Sequence, residues 1–265
     1  MRGTGEGKLE AEARVAHRAR RAEIPRITSD PGTAMTERRD FLRNASLLAA
    51  GALVPATAEA MEGDLPVQGN WDMSWVAKVT GRYRIAFDAP EVSNGVCLHQ
   101  VRSFLAGYAA VHGLTDADLT AVLVIRHKAV PMIMGDATWA DGWLGERTGM
   151  KDPVSGEKAK RNPFINIPAG APHTAAWPDG ALDTLIKRGV IVLGCDLALG
   201  NFAGQIAQAK SIPRADARKL VYDHLIPGVT VMPSGIFATC RAQAAGCGFM
   251  YAVYAPREAR APRIG

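Results

Sequence analysis

The stretch "RGVIVLGCDLALGNF", Arg188 to Phe202, decides the fold. A β-branched apolar run from Gly189 to Gly194 ends at Cys195. Asp196 follows, and from Leu197 the apolar residues recur with a helical period. A strand that passes directly into a helix is the repeating joint of alternating α/β architecture. The same joint leaves four readings open for Cys195: a nucleophile, half of a disulfide, a metal ligand, or filler in a core.

Outward from this joint, the pattern repeats. "YRIAFDA" (Tyr83 to Ala89), "TAVLVIR" (Thr120 to Arg126), "GVTVMP" (Gly228 to Pro233) and "GFMYAVY" (Gly248 to Tyr254) read as strands. Their nearly continuous apolar character suits strands buried on both faces. Between the first two, Asn94 to His112 sets Cys97, Val101, Leu105 and Tyr108 on one helical face, and Gly113 stops it. Further helices are expected at Ala181 to Lys187, Leu197 to Ala209, Ala215 to Leu225 and Ser234 to Ala245. Strands and helices in alternation predict a three-layer α/β/α sandwich around a mostly parallel five-stranded sheet.

One segment breaks the rhythm. Residues 142–180 are rich in Gly, Pro and charge, longer than an ordinary connection, and read as a lid, a subunit contact or a mobile loop. Trp139, Trp143, Phe164 and Trp177 flank or occupy it, which favours an ordered excursion packed on the body or on another subunit.

The N-terminal region reads as an export signal. Arg38 and Arg39 precede an apolar run from Ala45 to Val54, too short to span a bilayer, and the small-residue pattern Ala58-Glu59-Ala60 follows. The twin arginines with Asp40, Phe41 and Leu42 resemble a twin-arginine (Tat) signal, which implies passage through the Tat translocase to the periplasm. Residues 1–60 are therefore expected to be extension and signal peptide, with Met35 read as the start. A linker follows over 61–80, then the domain over 81–256 and a tail over 257–265. Of 31 Lys/Arg and 26 Asp/Glu, ten and eight lie in the first 60 residues, which leaves 21 against 18 scattered along the remainder. That balance argues against a nucleic-acid partner, and no later apolar run is long enough for a stable membrane anchor.

Several chemistries are absent as motifs. There is no GxGxxG after the first strand, no Walker loop, no CxxC or CxxCH, and no G-x-S-x-G elbow, so no cofactor is expected. Ser234-Gly235, at a strand-to-helix turn, reads as a helix cap. His127, Met132 and Met134 are soft donors, but two methionines beside an isoleucine fit core packing better, so no metal site is expected.

Ligands of parallel α/β sheets bind beyond the carboxyl ends of the strands, and Cys195 lies at such an end where the next helix begins. Unpaired backbone NH groups and the helix dipole there stabilise a thiolate, whereas Asp196 competes for those NH groups and repels it. Asp88 and Asn94 follow or end the first strand, His127 ends the second, and Asn201 lies a turn or so beyond Cys195. These four residues, Asp196 and Cys97 are candidate binding groups. Cys97 begins the helix after the first strand and could approach Cys195, where a disulfide would need their Cα atoms within about 7 Å. Cys240 and Cys247 read as small core hydrophobes.

"ALDTLIKRGVIVLGCDLALGNF" followed by "LIPGVTVMPSGIFATCRAQAAGCGFMYA" resembles the DsrE/DsrF-like family. The shared pattern is a strand ending in cysteine, a Pro-Gly-Val strand, a Ser-Gly turn, a helix carrying Gln243 and a final Gly-aromatic strand. The resemblance spans roughly Tyr83 to Ala252 and loosens over the Gly/Pro-rich excursion. It implies a three-layer fold, assembly as homotrimers or hexamers, and a sulfur relay. Cys195 matches the cysteine that carries a persulfide between a sulfane-sulfur donor and an acceptor thiol.

Overall fold

The structure is a computed structural model that describes residues 67–172 and 177–254. The expected signal peptide and the expected tail over 257–265 lie outside the described residues.

Five strands form one sheet: β1 (Tyr83–Ala89), β2 (Leu119–Ile125), β3 (Ile191–Cys195), β4 (Val229–Met232) and β5 (Gly248–Tyr251). The spatial order is β4-β3-β2-β1-β5, and every pairing is parallel rather than mostly so. Each crossover therefore needs a helix, and the α-helices among the described residues are α1 (Val96–His112), α2 (Asp136–Trp139), α3 (Trp143–Thr148), α4 (Leu182–Lys187), α5 (Asp196–Lys210), α6 (Arg214–Asp223) and α7 (Gly235–Ala244). The chain steps outward from β1 to β4 with α1 and α5 on one face. It then returns over the other face through α7 to place β5 beside β1. The result is a three-layer α/β/α sandwich.

Alternation along the strands divides the core in two. Phe87, Leu123 and Val192 face the larger cluster with α1 and α5, whereas Ala86, Val122, Val124 and Leu193 face α7. Burial on both faces holds for β2 and β3 but not for the edge strands. All four residues of β5 are exposed, and three of the four in β4 are only half-buried, because nothing in the described chain pairs with their outer edges.

The segment expected to be a linker is part of the body from residue 74 onward. A 3-10 turn at Ser74–Lys78 buries Trp75 against α7's face of the sheet, and its indole N–H donates to Met232 Sδ at 3.3 Å. A lone tryptophan in a short irregular run carries no periodicity, so its burial left no sequence signal.

The 142–180 excursion is ordered where described. Trp139 and Phe164 are fully buried. Asn162, also fully buried, donates from Nδ2 to the carbonyls of Met132 and Met134, both at 2.8 Å, and accepts from the Phe164 N–H at 2.8 Å. Gly145 packs so closely on Ala159 that a Cβ would lie 2.2 Å from its carbonyl oxygen. The excursion's aromatic residues are thus largely consumed by the body, with Trp177 the exception at 49% exposed.

Candidate functional site

A cleft of about 790 Å³ opens at the carboxyl ends of the strands. Each strand supplies part of it. Glu91, Val92, Ser93 and Asn94 follow β1, and Arg126, His127 and Lys128 follow β2. Cys195 ends β3, with Ala198 and Asn201 on the helix behind it. Ser234, Gly235 and Ile236 follow β4, and Tyr254 follows β5. The excursion contributes Arg147, Thr148 and Met150 as a further wall.

Local backbone geometry marks this rim. Ser93 (φ 41°), Asn94 (φ 52°) and His127 (φ 50°) adopt left-handed conformations uncommon for residues with a Cβ, and all three line the cleft. The turn at 93–95 is why α1 begins at Val96 rather than at Asn94. On the β4 side, the Ser234 hydroxyl accepts the Phe237 N–H at 3.1 Å and caps α7, as its position at a strand-to-helix turn predicts.

Cys195 is the last residue of β3 and the N-cap of α5. It is a free thiol, 4% exposed, whose accessible part faces the cleft. Arg126 is the nearby fixed cation. Its Nε and Nη2 donate to the two carboxylate oxygens of Asp88 at 2.6 and 2.8 Å, and its Nη1 lies 3.1 Å from His127 Nδ1. The Asp88 hydrogen bonds raise the Arg126 pKa most; burial opposes them, and the charges of Asp88, Tyr251 and Cys195 add to the rise.

The sequence-derived candidates separate accordingly. Asn94, His127, Cys195 and Asn201 meet at the cleft. Asp88 is buried and acts behind the wall by holding Arg126. Cys97 is fully buried in the α1 face of the core and is free, so no disulfide joins it to Cys195. Burial pushes its thiol up to about 12 against small opposing contributions from the backbone NH groups of Leu98 and Cys97 itself. Asp196 turns away from the cleft, toward α6. Its Oδ1 accepts from Tyr222 Oη at 2.5 Å and from Arg218 Nη2 at 3.1 Å. The expected competition between Asp196 and a thiolate for the helix NH groups is thereby relieved. Cys247 is buried as expected, whereas Cys240 is exposed, because it sits on the outer face of α7.

Sequence reasoning passed over Arg126, although it is the polar residue that ends an apolar strand, the same signal that singled out His127. Arg147, Thr148 and Gln205 were not legible, since nothing local relates the excursion to α5. Met132 and Met134, weighed as soft metal donors, are fully buried core residues.

No protein-family model matches the chain, and no curated protein matches it. Among solved structures, it is similar to the protein of unknown function MTH1491 from Methanobacterium thermoautotrophicum. The two are 15% identical with a TM-score of 0.34, over 64% of this chain and 98% of that one.

Proposed function

We propose that this chain is an exported sulfur carrier of the DsrE/DsrF-like kind. In this reading Cys195 accepts sulfane sulfur as a persulfide and passes it to an acceptor thiol. The observation that supports it most is the position of the thiol: it ends the interior strand β3 at the first turn of α5 and meets a cleft that also holds Arg126. The helix N-terminus places positive potential on an anionic sulfur, whether thiolate or persulfide, while the guanidinium beside it is matched by Asp88.

The chemistry balances without an outside oxidant. The Cys195 thiolate attacks the terminal sulfur of a donor R–S–SH, the donor S–S bond breaks, and its electron pair leaves on R–S⁻. Cys195 then carries –S–SH, and an acceptor thiolate repeats the exchange. With Cys195 4% exposed, only a group that enters the cleft reaches the sulfur.

Incubation with polysulfide is expected to add sulfur in whole-atom mass steps, reversed by dithiothreitol. The adduct disappears in Cys195→Ser and persists in Cys240→Ser and Cys247→Ser. A wild-type protein that takes up no sulfur, with a Cys195→Ala variant that folds equally well, sinks the reading in favour of a non-catalytic small-ligand module. N-terminal sequencing of the exported protein tests the Tat route, which requires a mature chain that begins near Met61.

Homo-oligomer formation belongs to the same proposal. The outer edge of β5 is unpaired among the described residues, and Phe249 and Tyr251 on it are 50% and 53% exposed. Sedimentation at micromolar concentration tests it: a monomer refutes assembly, and Phe249→Glu is expected to weaken an assembly that uses this edge.

A further inference from the structure

The charges around the cleft do not cancel. Arg126 is matched by Asp88, and Lys128 by Glu91 at 3.3 Å. Arg147, on the excursion helix α3, donates from Nε to the neutral Gln205 Oε1 at 3.3 Å, and no carboxylate pairs with it among the described residues. One cation therefore faces the cleft without a counter-charge.

Its position relative to Cys195 is set by α5. Cys195, Ala198, Asn201 and Gln205 follow one another along the cleft side of that helix. Ten residues of helix rise about 15 Å, and the Gln205 side chain leans back toward the N-terminus, so Arg147, held at Gln205, stands on the order of 10–15 Å from the thiol. Asn201 stands between them with an amide able to donate and accept. A small inorganic anion cannot touch both ends. A tripeptide extends to about 10 Å.

Building on the sulfur-carrier reading, we infer that the donor or acceptor is a peptide-sized thiol with a terminal carboxylate: sulfur at Cys195, backbone amide at Asn201, and carboxylate on Arg147. The excursion then has a role that the compact α/β core cannot supply. It carries the carboxylate-binding wall, held in place by the buried Asn162.

The test uses glutathione persulfide, its diethyl ester and thiosulfate as donors to the full-length protein, and S-methylglutathione as a non-reactive ligand for the Cys195→Ser variant. Sulfur transfer from glutathione persulfide is expected to exceed that from the ester or from thiosulfate about tenfold or more in kcat/KM, the scale of one charge-assisted contact. Arg147→Gln should abolish that preference, and Arg147→Lys should restore part of it. In Cys195→Ser, S-methylglutathione should bind with an affinity that falls about tenfold in the added Arg147→Gln variant. Equal transfer from all three donors, a preference that survives Arg147→Gln, or no saturable binding of S-methylglutathione overturns the inference. If instead no donor transfers sulfur but S-methylglutathione binding depends on Arg147, the carrier reading fails and the ligand class stands.

Discussion

Arg126 grips Asp88 with both arms of its guanidinium, at 2.6 and 2.8 Å, directly beneath Gly235. A Cβ on Gly235 would lie 2.5 Å from Arg126 Cβ and 2.6 Å from its Cδ. Because the arginine is held at its far end by Asp88, it cannot swing aside freely. Gly235→Ala is therefore expected to cost about 1–3 kcal/mol through overpacking. It should also slow sulfur uptake at Cys195 by displacing the cation. Equilibrium urea unfolding and the mass-step assay measure the two effects separately, and an unchanged unfolding midpoint would mean that α7 shifts without resistance.

The four thiols differ in exposure and therefore in reactivity. Iodoacetamide on the native protein near pH 8 should label exposed Cys240 readily and Cys195 through the cleft. Cys97 is fully buried, with its thiol pushed up to about 12 by burial, and should stay unlabelled until the protein unfolds. Burial also raises the Cys247 thiol, so it should react more slowly than Cys240. Peptide mapping after timed alkylation reads the order, and early labelling of Cys97 would contradict the packing of α1 against the sheet.

Asn162 ties the excursion to the body through two carbonyls that Asn162→Ala would deprive of a donor. The loss is expected to be about 1–3 kcal/mol of stability, typical for buried polar groups left short of a partner. Asn162→Asp should be no better, since a carboxylate cannot donate to the Met132 and Met134 carbonyls. Thermal unfolding of both variants tests this, together with limited proteolysis, which should open the chain within 142–180 first.

Acid weakens the same excursion. Burial alone would raise the Asp152 carboxyl, but the Ser155 N–H, the Arg161 guanidinium and the Val154 N–H outweigh it and hold the pKa at about 2, down from 3.8. A depressed folded-state pKa means that the stabilisation is complete above about pH 4 and is lost as pH falls toward 2. Asp152→Asn should be less stable than wild type at neutral pH and should show a shallower decline between pH 4 and 2. Parallel slopes for the two proteins in urea titrations across that window would remove Asp152 from the acid response.

Much of the fold was legible because helices and strands are local patterns. β1 was read from Tyr83 to Ala89, as observed, and the other strands fell within one or two residues of their observed starts. The helix after β1 was placed two residues early, at Asn94, because a left-handed turn at Ser93 to Gly95 looks helical in composition. Exposure of β4 and β5 was missed for a different reason: apolar content reports what a strand could bury, not whether it ends up at an edge.

By itself, the sequence determined that strands and helices alternate and that Cys195 ends a strand where a helix begins. Both follow from the periodicity of neighbouring residues, which records each segment's own conformation. Only the tertiary structure decided which groups meet that thiol. Arg126 reaches Asp88 because β1 and β2 pair in register with Asp88 opposite Val124, and Asp196 turns to Tyr222 and Arg218 because α6 packs on α5. Arg147 reaches Gln205, 58 residues away, because the excursion folds back onto the body. Such partnerships depend on strand order and on how layers close over one another, and no local spacing encodes them.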